Sequence, residues 1–394
     1  MSHGQHFLQI PGPSPVPERV LRAIDRQVID HRGPEFQKLG QEALEAIKPV
    51  FGTTQPVIIY PASGTGAWEA AIVNTLSPGD KVLMAETGQF ATLWQKLARR
   101  FGIEVDFLPG DWRHGVDAAA IEAKLAEDKS HTIKAVMVVH NETSTGCLSD
   151  IAAVRKAIDS TKHPALLMVD TISSLGSAPV KHDAWAVDVT VSGSQKGLML
   201  PPGLSFNAIS EKALAASKTN KLPRSYWDWQ EMLTFNAKGF FPYTPATTLL
   251  YGLKEALAML NEEGLENVFA RHQRLAAACR AAVRGWGLEI LCQDPAVYSP
   301  ILTGVVMPAG HDSDAFRKIA LEHFNISYGA GLGKVAGKVF RIGHLGDCNE
   351  LTLMAALCAT EMSFKLANVP HKAGGVAAAM ASFTEEGTAL RLSA

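Results

Sequence analysis

Lys196 closes the small-residue run Ser192-Gly193-Ser194-Gln195, which follows an apolar, strand-like stretch. A cationic lysine is costly to desolvate in such a place. It reads either as an amine able to form a Schiff base with a carbonyl or as a surface lysine whose stem lies along the protein. The second reading suits nearly every other lysine of the chain. Asp170 ends the apolar run Ala165-Leu166-Leu167-Met168-Val169. A carboxylate there binds a cationic group or caps a turn. Ser63-Gly64-Thr65-Gly66 follows Val57-Ile58-Ile59-Tyr60 and opens a helical stretch. Bare amide N–H groups and the helix dipole suit a phosphate at that point; a tight strand-to-helix turn is the equal alternative. A dinucleotide fingerprint fits less well, because Glu69 stands where the third glycine of G-x-G-x-x-G belongs. Phe90 follows another strand end and offers a face for a flat ring.

Chemistry shared among these residues requires a scaffold that gathers strand ends. From residue 57 onward, short apolar strands alternate with helical stretches: strands at 57–60, 81–84, 103–108, 133–139, 165–169 and 187–191, with helices at 89–101, 118–126 and 151–160. Near-continuous apolar strands separated by helices predict an α/β fold with a mostly parallel sheet covered on both faces. Ligands of such sheets sit beyond the carboxyl ends of the strands, where the polar segments above all fall. Pro11, Pro13, Pro15 and Pro17 predict an extended N-terminal arm over 1–20. A large domain is expected over 21–260 and a smaller α+β domain over 261–394.

Composition narrows the partners. A 47 % apolar and 19 % charged chain is that of an ordinary globular protein. A formal net charge of −2 gives no long-range attraction to nucleic acid or to an anionic membrane, so a small-molecule substrate is expected. The five cysteines are odd in number, scattered, and form no C-x-x-C pair. Neither a metal site nor a disulfide framework is signalled. The opening residues lack a basic-then-apolar leader, no apolar run approaches ~20 residues, and Leu392-Ser393-Ala394 is not a peroxisomal address. The expected location is cytoplasmic.

A phosphate cup at a helix start, an acid for a pyridinium nitrogen, a lysine for an imine and an aromatic face make up the set that pyridoxal 5′-phosphate needs. The chain resembles the class V aminotransferases of fold type I, in the serine/alanine–glyoxylate aminotransferase group. The stretches that carry the resemblance are Pro11-Gly12-Pro13-Ser14, Ser63-Gly64-Thr65-Gly66-Ala67-Trp68-Glu69, Glu142-Thr143-Ser144-Thr145-Gly146, Val169-Asp170-Thr171-Ile172-Ser173-Ser174, Ser192-Gly193-Ser194-Gln195-Lys196-Gly197, Tyr243-Thr244-Pro245 and Gly337-Lys338-Val339-Phe340-Arg341-Ile342-Gly343. They span residues 11–343. The lysine block, with an Asp 26 residues before Lys196, is specific for fold and cofactor and less so for substrate.

The resemblance implies a role for each matched residue. Lys196 would hold the cofactor aldehyde and shuttle a proton, and Asp170 would keep the pyridine nitrogen protonated. Phe90, where the family commonly has tryptophan, and Ile172 would sandwich the ring, and Thr143 would contact its hydroxyl. Ser63, Gly64, Thr65 and Gln195 would bind the phosphate. Thr244 would reach it from the other subunit of a homodimer with shared active sites. Some relatives carry a phosphate-binding tyrosine where Phe241 stands here; either Tyr243 would replace it or that bond is missing. Arg341 would grip the substrate carboxylate as a bidentate pair, with Pro11 and Gly12 also at the substrate.

The activity implied is transfer of an amino group from a small L-amino acid, serine foremost, to glyoxylate, giving glycine and a 2-keto acid. The rivals are an aspartate or alanine donor, or a lyase such as a desulfurase. The lyase would need a nucleophilic cysteine, for which only Cys348 offers itself. The loop Asp30-His31-Arg32-Gly33-Pro34-Glu35 bears on the donor. His31 and Arg32 would hydrogen-bond a donor hydroxyl, or Arg32 would pair with a second carboxylate. Equally, Arg32 would pair with Asp30 or Glu35 on the surface.

Overall fold

The computed structural model describes residues 4–384. The terminal Leu392–Ala394 segment lies outside them. The larger sheet has seven strands in the order Val57–Tyr60, Ser205–Ile209, Val189–Gly193, Leu166–Asp170, Ile133–Val139, Lys81–Ala85, Glu104–Leu108. Only Ser205–Ile209 runs against its neighbours. The strands Val57–Tyr60, Leu166–Asp170 and Val189–Gly193 are buried along their whole length, as expected of strands covered on both faces. Their carboxyl ends, with those of Lys81–Ala85 and Ile133–Val139, therefore open on one edge of the sheet.

Three elements stand apart from the sequence reading. The strand expected at 187–191 runs from Val189 to Gly193. Asp188 lies outside it because its side chain and backbone N–H are both bonded to Leu167. Ser205–Ile209 was not expected as a strand; it is five residues long and carries Ser and Asn among its apolar positions. The helix Thr247–Glu263 also went unread.

A second sheet has the order Phe7–Gln9, Ile326–Ala330, Val339–Gly343, Leu302–Val306, Glu289–Ile290. Its core includes Leu275, Val305, Phe316, Tyr328, Phe340 and Phe364, with the Phe316 and Phe340 rings 4.5 Å apart. The helix Leu265–Gly285 starts in the larger core at Val268 and ends in the smaller one. The proline-rich arm is not loose over its whole length. Phe7–Gln9 pairs in parallel with Ile326–Ala330, and a helix begins at Glu18. Between them the arm crosses to the larger unit, where Ser14 N–H donates to the Gln195 carbonyl at 2.9 Å and Ser14 Oγ to the Lys196 carbonyl at 2.8 Å.

Among the described residues, no helix is long and apolar enough to cross a membrane. No group of three or more His, Cys, Asp or Glu side chains among them is placed to hold a metal.

Candidate active site

A cavity of about 120 Å³ opens at the carboxyl edge of the larger sheet. Ser63, Gly64 and Thr65 form one wall, Phe90 and Thr143 another, and Asp170, Ile172, Gln195 and Lys196 the rest. Trp68, Val139, Asn141 and Ser173 also line it; none of these was assigned a role from sequence.

Ser63 occupies the cap position of the helix Gly64–Thr75 with extended backbone, and its hydroxyl makes no capping bond. The first-turn amides there have no intrahelical acceptor. Gly64 is required by close packing: a Cβ would lie 2.7 Å from Ile172 Cγ1. Gln195 Oε1 is buried without a hydrogen-bond partner.

Asp170 is 4 % exposed. Its Oδ1 accepts from Ile172 N–H at 2.7 Å and its Oδ2 from Trp68 Nε1–H at 3.0 Å. Burial pushes its carboxyl up to about 7; the two donors oppose that, Glu142 adds to it and Lys196 opposes it. Lys196 is 8 % exposed, and its Nζ donates to the Pro11 carbonyl at 2.5 Å. Burial lowers the amine to about 7; Arg341 lowers it further and Asp170 opposes. An amine in this state is partly neutral, and hence nucleophilic, near neutrality. Gly12 has φ +100°, and a Cβ there would lie 2.6 Å from Lys196 Cε. At Pro11 and Gly12 the arm thus meets the lysine side chain through its backbone.

Arg341 does not line this cavity directly. Pro11 links the two: a Cβ on Gly329 would meet the Pro11 ring at 2.7 Å and Arg341 Nε at 3.2 Å. Arg341 Nε donates to the Ala330 carbonyl at 2.7 Å and Nη1 to the Thr143 carbonyl at 2.8 Å. The guanidinium has five N–H donors, so more than half remain. Burial lowers Arg341 to about 10, with Glu142 opposing.

Glu142 is fully buried, and burial raises its carboxyl. It accepts from the N–H groups of Phe90, Ala91 and Ser144 and from Ser144 Oγ. One carboxylate therefore ties the helix start that carries Phe90 to the loop that carries Thr143. Its place three residues beyond the buried strand Ile133–Val139 was the available signal.

The remaining expected residues lie elsewhere in the single chain. His31 and Arg32 border a separate cavity of about 270 Å³ with Lys238, Phe240 and Phe241. Arg32 is exposed, and among the described residues its side chain makes no ion pair with Asp30 or Glu35; Glu35 accepts instead from Tyr251 Oη. Thr244 is exposed, and the Tyr243 ring stacks on Tyr226 at 4.2 Å. The Tyr243 hydroxyl is buried without a partner. Cys348 is buried, and its thiol is raised by desolvation, which leaves it a poor nucleophile.

The donor set fits pyridoxal 5′-phosphate. A buried carboxylate is held only by neutral donors, an amine is depressed toward neutrality, and an amide oxygen lacks a partner beside a bare helix start. Comparison with known proteins agrees. The family model described as aminotransferase class-V matches residues 6–342. The chain is 49 % identical over 389 residues to a serine–glyoxylate aminotransferase of Methylorubrum extorquens, covering 97 % of each. It is 46 % identical over 383 residues to an L-aspartate–glyoxylate aminotransferase of Paracoccus denitrificans, again covering 97 % of each. The crystal structure of a pyridoxamine–pyruvate aminotransferase from Mesorhizobium loti superposes with a TM-score of 0.91 at 29 % identity, covering 97 % of this chain and 98 % of that one. On this match in sequence and architecture, the chain belongs to the class-V aminotransferases, enzymes of fold type I that depend on pyridoxal phosphate.

Proposed function

We propose that this aminotransferase takes the amino group of a small L-amino acid, with serine as the preferred donor, and delivers it to glyoxylate. The observation that carries the site assignment is the pairing of a buried, depressed Lys196 amine with a buried Arg341 whose fork is only partly used. Two carbonyls orient the guanidinium, and its remaining N–H groups suit a carboxylate. Both the donor and glyoxylate carry one. The similarity to the serine–glyoxylate and aspartate–glyoxylate enzymes supports the substrates. Aspartate is the second reading, favoured by Arg32, whose side chain makes no ion pair among the described residues.

Bound pyridoxal phosphate supplies an aldehyde that takes up the amine and a ring that accepts electrons from the donor carbon. The chain's own residues do the rest. Ser63, Thr65, Gln195 and the amides of the helix start bind the phosphate. Asp170 holds the pyridine nitrogen in its protonated form. Phe90 and Ile172 hold the ring faces, and Thr143 its hydroxyl. Lys196 Nζ would hold the aldehyde and would move the proton at the donor carbon.

The functional unit is a homodimer in the cytoplasm. Phe240 and Phe241, just before Thr244, line the same cavity as His31 and Arg32. If Thr244 reaches a neighbour's phosphate cup, His31 and Arg32 arrive at that neighbour's substrate with it. A panel of serine, aspartate and alanine against glyoxylate and pyruvate tests the reading. Serine with glyoxylate should give the highest kcat/KM. Turnover with neither serine nor aspartate would overturn it.

A further inference from the structure

Asp170 is the one acid among the lining residues of the cavity, and what holds it decides how it meets the cofactor. Its carboxylate has two hydrogen bonds, one to each oxygen. Ile172 N–H is a backbone donor two residues away; Trp68 Nε1–H comes from 102 positions earlier in the chain. We propose that Trp68 is a positioning residue for the pyridine nitrogen: its indole N–H fixes the Asp170 carboxylate as an anion and sets its plane. The inference rests on Asp170 being the partner of that nitrogen, as proposed above.

Four observations support it. First, the indole has no freedom of its own. Trp68 is buried, and its ring stacks on Trp94 at 5.8 Å with a 14° interplanar angle. Second, Trp94 belongs to the helix Gln89–Arg100, the one that carries Phe90, so the indole, the carboxylate and the ring-stacking residue are set by one packed unit. Third, Trp68 lies one turn after Gly64 on the helix Gly64–Thr75. Four residues of α-helix rise about 6 Å. One rigid element thus presents amides at the phosphate cup and a donor at Asp170, coupling the two ends of the cofactor. Fourth, a carboxylate offers about four lone-pair sites. Two neutral donors use half of them and leave acceptor capacity for a pyridinium N–H.

Shape alone does not require tryptophan, because Phe or Leu would also fill an apolar helix face. The indole adds a hydrogen bond to the charged form of the acid, which favours that form. The charged and titratable neighbours of Asp170 act in different directions. Glu142, three residues beyond the adjoining strand Ile133–Val139, disfavours the anion, and Lys196 favours it. His140 meets Asp170 through backbone, its N–H donating to the Asp170 carbonyl at 2.9 Å, while its ring bonds Ser174 Oγ. Loss of the indole donor leaves Ile172 N–H as the only hydrogen bond against burial and Glu142. A larger share of Asp170 would then be protonated, and a protonated acid cannot hold a pyridinium nitrogen as an ion pair.

The test uses full-length holoenzyme loaded with pyridoxal phosphate labelled with ¹⁵N in the ring. Three variants are compared with wild type: Trp68→Phe, a chain with benzothienylalanine at position 68, and Trp94→Phe. Benzothienylalanine keeps the bicyclic shape and removes only the N–H, so it answers the question even if Trp68→Phe folds poorly. Trp94→Phe removes the stacking indole, whose own Nε1 makes no hydrogen bond. The ¹⁵N shift, the cofactor dissociation constant and kcat against KM are read. Both position-68 variants should move the ¹⁵N signal toward the unprotonated nitrogen and weaken cofactor binding about tenfold, as a charge-assisted bond would. They should lower kcat more than KM. Trp94→Phe should leave the ¹⁵N signal in place. A benzothienylalanine protein with wild-type shift and affinity would overturn the inference. Wild type that binds the cofactor without a pyridinium signal would instead remove the role of Asp170, and the inference with it.

Discussion

Replacing Arg341 by lysine separates a directional clamp from a simple positive charge. The guanidinium is 8 % exposed and is held by the Ala330 and Thr143 carbonyls at 2.7 and 2.8 Å. With burial lowering it only to about 10, it stays cationic in all but about one molecule in a thousand at pH 7. Lysine keeps the charge and loses the planar fork. Its three N–H groups cannot serve two carbonyls and a bidentate carboxylate in one plane. The expected loss is that of a charge-assisted hydrogen bond, roughly 1.5–3 kcal/mol, or about tenfold to a hundredfold in kcat/KM. The donor and glyoxylate use the same clamp in turn, so both should lose by similar factors. Initial rates over a grid of the two concentrations give the two values. Retained cofactor absorbance and an unchanged unfolding midpoint show that the fold survives. Unchanged kinetics, or a loss confined to one substrate, would refute the shared-clamp reasoning.

Three further outcomes follow from the geometry. Because burial brings Lys196 from its ordinary 10.5 to about 7 and the neutral amine is the reactive form, cofactor capture by the apoenzyme should accelerate with pH. It should level off above about pH 8; stopped-flow absorbance showing a rise that continues to pH 10 would contradict the depressed amine. Gly12→Ala should cut cofactor loading, since a Cβ would fall 2.6 Å from Lys196 Cε at a φ of +100°; normal loading by absorbance would show that the arm yields freely. Arg32→Ala should narrow the preference for serine or aspartate over alanine, because a site built for polar groups discriminates strongly; initial rates for three donors with an unchanged ranking and ratios would remove this loop from donor choice.

Much of the site was legible because charge after an apolar strand is expensive. Lys196 and Asp170 both stand out on that ground. The strand order brings them to one edge with the 63–65 turn, although 130 residues separate Lys196 from Gly66. What could not be read depends on contacts across long stretches of chain. Trp68 looks like an ordinary core residue on a helix face until its N–H meets Asp170. Ser14 looks like part of a proline-rich arm, yet its side chain bonds the Lys196 carbonyl 182 positions away. Glu142 lay inside a matching stretch without a stated role, because the helix start it serves is 51 residues before it. Ser205–Ile209 escaped notice because a short strand with mixed polarity shows no clear period. His31, Arg32 and Thr244 matched by pattern, but within one chain they face a different cavity or solvent.

The central claim is that Lys196 carries the cofactor in the cavity formed by Asp170 and the 63–65 helix start. Borohydride reduction of the yellow holoenzyme, followed by proteolysis and mass spectrometry, tests it directly. The peptide containing Ser192-Gly193-Ser194-Gln195-Lys196 should carry the phosphopyridoxyl mass on Lys196, and Lys196→Ala protein should carry none. The same mass on any other lysine of the wild-type chain would contradict the claim.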